Sequence, residues 1–242
     1  MMYAQYRGRP ELPNIHSQIW SPSPSVLVEE IVRLKRPERS GDRPVSGAVS
    51  LAELQHKVPA KALKEAQKAD GAVGKKDLPA VILHLEKALE IDPEFFAARR
   101  NLAKALLMGG QLEKALPVLQ RLRQTEPRSV LAYDGLGAVY LTSHHFEEAE
   151  AAARQALEID GANELGHWLL GCSLTALGKA DAEALKHLAR VVKRFPIAHV
   201  VAAGILVRQG NRSEAKMQLQ EYLDTGDPGA RAEAERALLK IR

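Results

Sequence analysis

The chain has 242 residues, of which 45% are hydrophobic, 26% are charged and only 5% are aromatic. The apolar fraction is enough for a buried core, which excludes wholesale disorder, and the low aromatic share argues against a sheet-rich fold. A net charge of +4, from 34 basic and 30 acidic residues, is too weakly basic to indicate nucleic-acid binding. The single cysteine, Cys172, excludes an internal disulfide and a thiolate zinc cluster.

The sequence contains no apolar signal-peptide segment near its first residues, and its longest apolar run covers residues 200–207. A membrane-spanning helix needs about 20 apolar residues. We therefore expect no membrane insertion and a cytoplasmic location. A periplasmic or exported location is expected instead if the chain is the end of a longer exported protein.

Prolines are concentrated in the first part of the chain, where Pro10, Pro13, Pro22, Pro24, Pro37 and Pro44 lie among serines, arginines and glycines. Proline lacks a backbone donor and its ring clashes with the preceding helical turn, so this stretch is not helical. The composition predicts an extended or partly disordered arm over residues 1–58.

After this arm, good helix formers dominate and the breaking residues become periodic. Pro59, Pro93 and Pro127 follow one another at 34-residue intervals, a further 34 residues lead to Gly161, and Pro196 lies 35 residues beyond. A fixed period of this length indicates stacked structural repeats.

Residues 128–161 illustrate the content of one repeat. The large and small residues at helical spacing are Tyr133, Leu136, Gly137 and Tyr140 in the first segment, and Phe146, Ala149, Ala153 and Ala156 in the second. Residues 143–145 interrupt the pattern, and Gly161 suits a helix end. Each repeat is therefore predicted to be a helical hairpin, with small residues where the two helices approach closely.

The same pattern divides residues 59–242 into successive units. The predicted repeats cover residues 60–93, 94–127, 128–161 and 162–196, followed by a degenerate repeat at 197–227 and a capping helix at 229–241. Pro117 falls inside a second helix, which predicts a kink or a late helix start. The first helix of the degenerate repeat is expected to be about three residues short, because Gly210 follows Pro196 too soon.

The segments Leu85–Pro93 (LEKALEIDP) and Gln155–Gly161 (QALEIDG) resemble the end of the second helix of tetratricopeptide repeats (TPRs). The resemblance covers about residues 60–225. It is a resemblance to bacterial TPR proteins in general, and no single characterised member is matched closely. It implies an all-α fold, a right-handed α-solenoid of stacked antiparallel helix hairpins, behind the amino-terminal extended arm.

The resemblance also implies a function. The first helices of TPR arrays line a concave face that holds an extended peptide or a partner helix, so we expect a non-catalytic protein–protein interaction scaffold. The partner-binding residues expected on this face are Arg100, Lys104, Leu107, Leu131, Asp134, Leu165 and Trp168. Helical spacing adds Leu63, Ala66, Asp70, Ala138 and Cys172 to the same face.

Simpler interpretations of these residues remain open. Arg100 and Lys104, four residues apart, could bind a carboxylate or form an ordinary solvated helix face, and Asp134 could pair with Arg100. Trp168 could be an aromatic anchor or could pack between repeats. Only the second repeat is basic, so the carboxylate clamp of chaperone-binding family members is not expected.

Catalytic and metal-binding patterns are weak. The adjacent His144 and His145 lie in a predicted turn, and no base is placed beside Cys172. We therefore expect no enzyme activity, no cofactor, no metal site and no nucleic-acid partner. An alternative function is that of a structural or assembly component of a longer exported or envelope-associated bacterial protein with an upstream β-domain, because residues 43–51 are similar to such a join.

Overall fold

The computed structural model describes residues 56–241, and within that range it contains eleven α-helices and no strand. The predicted arm at residues 1–58 lies outside the described residues except for positions 56–58. In the described range the predicted all-α fold class is confirmed.

The helices follow one another with short connections. Their bounds are α1 Ala60–Gly74, α2 Leu78–Ile91, α3 Phe96–Met108, α4 Leu112–Thr125, α5 Val130–Thr142, α6 Phe146–Ile159, α7 Glu164–Leu177, α8 Asp181–Val191, α9 Ala198–Arg208, α10 Arg212–Asp224 and α11 Arg231–Lys240. Successive pairs, from α1–α2 to α9–α10, form five hairpins, numbered 1 to 5 in chain order, and α11 packs on α10 as a cap. Short loops between neighbouring helices favour antiparallel packing.

Two layers of helices result from this stacking. The inner layer contains α3, α5, α7 and α9, which contact one another in sequence. We assign α1 to the same layer because it is the first helix of its hairpin. The even-numbered helices from α2 to α10 form the outer layer, and each contacts the inner helix of the next hairpin or, for α10, the cap. Contacts are therefore mainly between neighbours, as in other solenoids.

Small residues permit the close approach of these helices. A Cβ atom added at Gly171 would lie 2.8 Å from Leu188 Cγ, and one added at Gly135 would lie 2.5 Å from Leu119 Cδ2. Both distances are well inside van der Waals contact, so a Cβ at either position would force the facing leucine side chain to shift. Buried alanines serve the same purpose along the outer helices, for example Ala153. The low aromatic content therefore reflects close helix packing.

The boundaries between hairpins use a repeated turn. Asp92 Oδ1 accepts a hydrogen bond from the Glu94 backbone N at 3.1 Å, and Asp160 Oδ1 accepts one from the Ala162 N at 3.0 Å. An aspartate that bonds to the backbone two residues later stabilises this turn without a helical partner. The residue after the aspartate can therefore be Pro93 or Gly161.

The structure corrects one prediction about α4. This helix begins at Leu112 and continues through Pro117, so a late helix start caused by the proline is wrong. Proline removes one helical hydrogen bond and its ring crowds the preceding turn, and burial of Ala115, Leu119 and Leu122 of the same helix offsets this cost. The inner helix of the degenerate repeat, α9, has 11 residues, whereas α5 has 13.

The cap is attached through Tyr222, which is fully buried. Its hydroxyl donates to Asp227 Oδ1 at 3.1 Å and accepts from the Ala230 N at 2.6 Å. Burial raises the pKa of Tyr222 to about 12, so the hydroxyl keeps its proton at physiological pH. These bonds fix the turn that leads from α10 into α11.

Candidate partner-binding face

The amino-terminal half of the inner face is open to solvent. Leu63 and Val73 of α1 are 43% and 59% exposed, and Met108 at the end of α3 is 40% exposed. By helical register, Leu63 and Val73 lie on one side of α1, and Met108 lies on the side of α3 that also carries Lys104. Exposed apolar side chains that form one contiguous patch are typical of an interaction surface, whereas single exposed apolar residues are common.

The predicted basic pair lies beside these apolar residues, but Arg100 already has a partner within the array. Its Nη1 donates to Glu126 Oε1 at 3.0 Å, across the hairpin boundary. Lys104, one turn later, is half-buried. The possible pairing of Asp134 with Arg100 is wrong, because Asp134 Oδ1 instead accepts a hydrogen bond from Asn163 Nδ2 at 2.7 Å.

Asp134 is a buried carboxyl group rather than a surface charge. Burial raises its pKa to about 7, against the opposing effect of the Asn163 hydrogen bond, and the nearby Asp160 raises it further. Desolvation disfavours the charged form of a carboxyl group. Asp134 therefore supports the junction between hairpins 3 and 4, and its side chain is not open to a partner in this arrangement.

The remaining predicted face residues lie mainly in the core. Leu107, Leu165 and Trp168 are 0%, 1% and 3% exposed, and Leu131 is half-buried. The Trp168 ring stacks on Phe195, with ring centroids 5.3 Å apart and planes inclined by 15°. Of the two interpretations of Trp168, the structure therefore supports packing between hairpins 4 and 5.

Sequence reasoning missed a recurring polar position inside the hairpins, which we call the hairpin slot. It pairs an inner-helix residue with the outer-helix residue 19 or 20 positions later. The pairs observed are Glu65–His84 at 2.8 Å, His167–His187 at 2.7 Å and His199–Gln218 at 2.9 Å. The 34-residue spacing of Glu65, Arg99, Tyr133 and His167 was the signal available in the sequence.

The slot changes the acidity of the groups within it. Hydrogen bonds from Lys68 and His84 lower the pKa of Glu65 to about 2. Burial lowers the pKa of both His167 and His187, whose Nδ1 atoms face each other, and the buried Nε2 of His167 has no hydrogen-bond partner. One ring donates and the other accepts, and burial disfavours the charged form of both rings.

The described residues contain no group of three or more histidine, cysteine, aspartate or glutamate side chains arranged to hold a metal ion. Cys172 is buried, and burial raises the pKa of its thiol well above the usual value, which suppresses the reactive thiolate. His144 and His145 are exposed in the turn between α5 and α6. Between residues 56 and 241, no helix is both long and apolar enough to span a membrane.

Comparisons with known proteins agree with this architecture. A family model described as tetratricopeptide repeat matches residues 72–140. The small glutamine-rich tetratricopeptide repeat-containing protein 2 of Mycosarcoma maydis is 31% identical over 103 residues, which cover 42% of this chain. The match spans only 29% of that protein's own length.

Solved structures share the fold at low sequence identity. A tetratricopeptide repeat protein from Parabacteroides merdae has a TM-score of 0.64 at 15% identity, covering 76% of this chain and 74% of its own. MamA from Desulfovibrio magneticus RS-1 has a TM-score of 0.62 at 15% identity, and the match covers 69% of this chain and 96% of MamA. YrrB is described as a TPR protein with an unusual peptide-binding site. It has a TM-score of 0.61 at 19% identity, and the match covers 79% of this chain and 100% of YrrB.

At these identities the structural likeness establishes the fold and nothing about a partner. The family match covers parts of hairpins 1 to 3, and the structural matches extend the likeness over most of the described range. Residues 72–140 therefore match the tetratricopeptide-repeat family, and the described part of the chain has the tetratricopeptide-repeat fold.

Proposed function

We propose that this protein is a non-catalytic scaffold that binds an extended peptide or a helix of a partner protein on the amino-terminal half of its inner face. The observation that carries the proposal is the solvent exposure of Leu63, Val73 and Met108 on α1 and α3. Covering such apolar area is favourable by about 25 cal/mol per Å². Curved solenoid surfaces are suited to extended partners, and the structurally similar YrrB is described as having a peptide-binding site.

The charges around this apolar surface indicate what the partner carries. Asp70 on α1 and Lys104 on α3 place one charge of each sign on the same face, while Arg100 is engaged by Glu126. An amphipathic segment with both acidic and basic residues beside its apolar side chains would match this arrangement. Of the other residues expected from the sequence, Leu131 is half-buried and Leu107, Asp134, Leu165 and Trp168 are buried, so we propose no direct partner contact for these four buried side chains.

The proposal is tested by comparing two double variants of the full chain as bait in cell extract. Val73→Glu with Met108→Glu places charge on the proposed face. Leu83→Glu with Met217→Glu places the same charge on the outer helices α2 and α10, at side chains that are 48% and 57% exposed. Partners are quantified by mass spectrometry, and cross-links locate them on the chain.

We expect the inner-face variant to capture at least about tenfold less of a specific partner than the wild type and the outer-face variant do. The reason is that a charge buried against apolar surface is costly. Cross-links to α1 and α3 are expected in the wild type. Equal capture by both double variants, or cross-links confined to the outer helices, would contradict the proposal.

A further inference from the structure

A cleft of about 310 Å³ opens between the outer helices of hairpins 1 and 2. It lies at the boundary between the two hairpins, and α3 of the inner layer contributes Arg99 to its lining. Its walls are aliphatic, formed by Leu89, Pro93, Pro117 and Val118, and its charged groups are Glu94, Arg99 and Arg121. Ligand sites typically combine an apolar lining with a few converging polar groups, and begin at about 300 Å³.

The arginine that lines this cleft is buried without a close counter-ion. Arg99 is 5% exposed, and its guanidinium donates to the Pro93 carbonyl and, at 3.4 Å, to Thr125 Oγ1. The nearest carboxylate oxygen, Glu94 Oε1, is 4.0 Å away. Neutral oxygens satisfy the donors, and the exposed Glu94 at 4.0 Å compensates the buried charge only weakly.

The hairpin slot explains why Arg99 lacks a closer partner. In hairpins 1, 4 and 5 the outer-helix position of the slot carries His84, His187 and Gln218. In hairpin 2 the corresponding residue, 19 positions after Arg99, is Val118. A valine cannot accept a hydrogen bond, and the guanidinium donates instead to the Pro93 carbonyl and to Thr125 Oγ1.

A second arginine and one exposed carboxylate complete the charged side of the cleft. Arg121 is 52% exposed and its Nη2 donates to Glu94 Oε1 at 2.9 Å, so Glu94 Oε1 lies between both guanidinium groups. The Glu94 side chain is itself 45% exposed on the loop between α2 and α3. The other nearby acids are engaged elsewhere, Asp92 by His56 at 2.7 Å and Glu126 by Arg100 at 3.0 Å.

We propose that this cleft binds an aspartate or glutamate side chain of a partner polypeptide together with a neighbouring aliphatic side chain. The partner's carboxylate takes the place of Glu94 between Arg99 and Arg121, and the aliphatic side chain packs against Pro117 and Val118. Arginine suits this role because its planar fork donates two parallel hydrogen bonds to a carboxylate. The site is independent of the inner-face function proposed above.

The test uses the amidated, acetylated heptapeptide Gly-Ser-Leu-Glu-Leu-Ser-Gly and its glutamine counterpart, each titrated into the ¹⁵N-labelled full chain. The glutamate peptide is expected to shift the NMR signals of residues 93–99 and of the arginine side chains. Its affinity should exceed that of the glutamine peptide by at least about fivefold, since charge-assisted hydrogen bonds are about twice as strong as neutral ones.

Three variants locate the interaction. Arg121→Gln should weaken binding by at least about threefold and Glu94→Gln should strengthen it by a similar factor, because the first removes a donor and the second removes the competing carboxylate. Arg123→Gln, an exposed position two residues along α4 that does not line the cleft, is the matched control and should change affinity by less than about twofold.

A fourth variant tests the role of the hairpin slot. Val118→Gln supplies Arg99 with the acceptor that the other hairpins provide, and should weaken peptide binding by about threefold while the helical circular-dichroism signal is unchanged. Equal binding of the two peptides, equal effects of the Arg121 and Arg123 changes, or no gain from Glu94→Gln would overturn the proposal. The inner-face variant Val73→Glu with Met108→Glu should bind the glutamate peptide like the wild type, so the two proposals fail separately.

Discussion

Two buried ionisable sites in adjacent hairpins respond to pH in opposite directions. Asp134 in α5 has a raised pKa, whereas the His167–His187 pair joining α7 and α8 has lowered pKa values. In each case desolvation favours the neutral form in the folded state. Each site therefore destabilises the fold least where its own groups are neutral in both the folded and the unfolded state, which is at low pH for Asp134 and at high pH for the two histidines.

Replacing Asp134 with asparagine tests the first of these sites. The folded pKa is about 7 and the ordinary value is 3.8, so the carboxyl group destabilises the fold progressively as the pH rises between these values. The introduced amide stays neutral, and its oxygen can accept the same hydrogen bond from Asn163. We expect Asp134→Asn to stabilise the protein at pH 8 by on the order of 2 kcal/mol and to have little effect at pH 4, as measured by urea unfolding.

The matched control is Asp70→Asn, because Asp70 is exposed on α1. It should alter unfolding by less than about 0.5 kcal/mol at either pH. A stabilisation by Asp134→Asn that is equal at pH 4 and pH 8 would show that titration of Asp134 is not the cause.

The His167–His187 pair predicts loss of stability in acid. Because both folded pKa values lie below the ordinary value of 6.5, the unfolded chain binds protons more readily, and stability falls as the pH decreases from about 6.5. Hydrogen exchange of α7 and α8 should therefore accelerate between pH 7 and pH 5, after correction for the intrinsic rate. His187→Gln keeps a hydrogen-bonding partner for His167 and should reduce this pH dependence.

His144→Gln is the control for the histidine prediction, since His144 is exposed in the turn between α5 and α6. This variant should show the same pH dependence of hydrogen exchange in α7 and α8 as the wild type. If both histidine changes reduced it equally, the buried pair would not be its source.

At the scale of helices, two glycines predict opposite effects of the same substitution. A Cβ at Gly171 in α7 would lie 2.8 Å from Leu188 Cγ and 3.5 Å from the Ala184 carbonyl, whereas a Cβ at Gly204 in α9 would meet nothing within 4 Å. Gly171→Ala should destabilise the protein by about 1–3 kcal/mol through overpacking. Gly204→Ala should stabilise it by about 0.5–1 kcal/mol, because alanine favours the helix.

Chemical denaturation of the two alanine variants measures this difference. Each variant serves as the control for the other, since both changes add one methyl group to an inner helix. If both substitutions raised the unfolding midpoint, helix propensity alone would explain them and overpacking at Gly171 would be wrong.

The helix boundaries could be predicted from sequence because their causes are local. Proline and the aspartate-anchored turn act within a few residues, and α2 and α3 accordingly stop and start on either side of Pro93. The predicted late start of α4 was wrong because the hydrogen bond lost at Pro117 is offset by the packing of α4, which the local sequence does not show.

Whether the side chains of the inner face are buried or open to solvent could not be predicted in this way. Burial of Trp168 depends on Phe195, 27 residues later in the next hairpin boundary, and therefore on how closely successive hairpins stack. The 34-residue spacing places a side chain on a helix face but does not say whether that face is open. The polar partner of His167 was likewise invisible, because a hairpin slot needs two helices in their final register.

At the scale of the whole molecule, the core divides within α9. One face of this helix, including Val201 and Ile205, belongs to the large hydrophobic cluster that extends back to Ala62. The opposite face, including Val200 and Leu206, belongs to a smaller cluster with α10 and α11. Because solenoid repeats are stabilised by their own packing and by their neighbours, the smaller cluster should unfold as a separate unit.

Truncation of one leucine in each cluster tests this division. Leu219 in α10 and Leu119 in α4 are 1% and 0% exposed, so each Leu→Ala change creates a cavity costing about 2–5 kcal/mol. Leu219→Ala should accelerate hydrogen exchange in residues 212–240 and leave α1 to α6 protected. Leu119→Ala should accelerate exchange in α3 to α6, since Leu119 packs against Gly135 of the next hairpin. Uniform acceleration along residues 60–240 by Leu219→Ala would instead mean that α9 couples the two clusters into one cooperative unit.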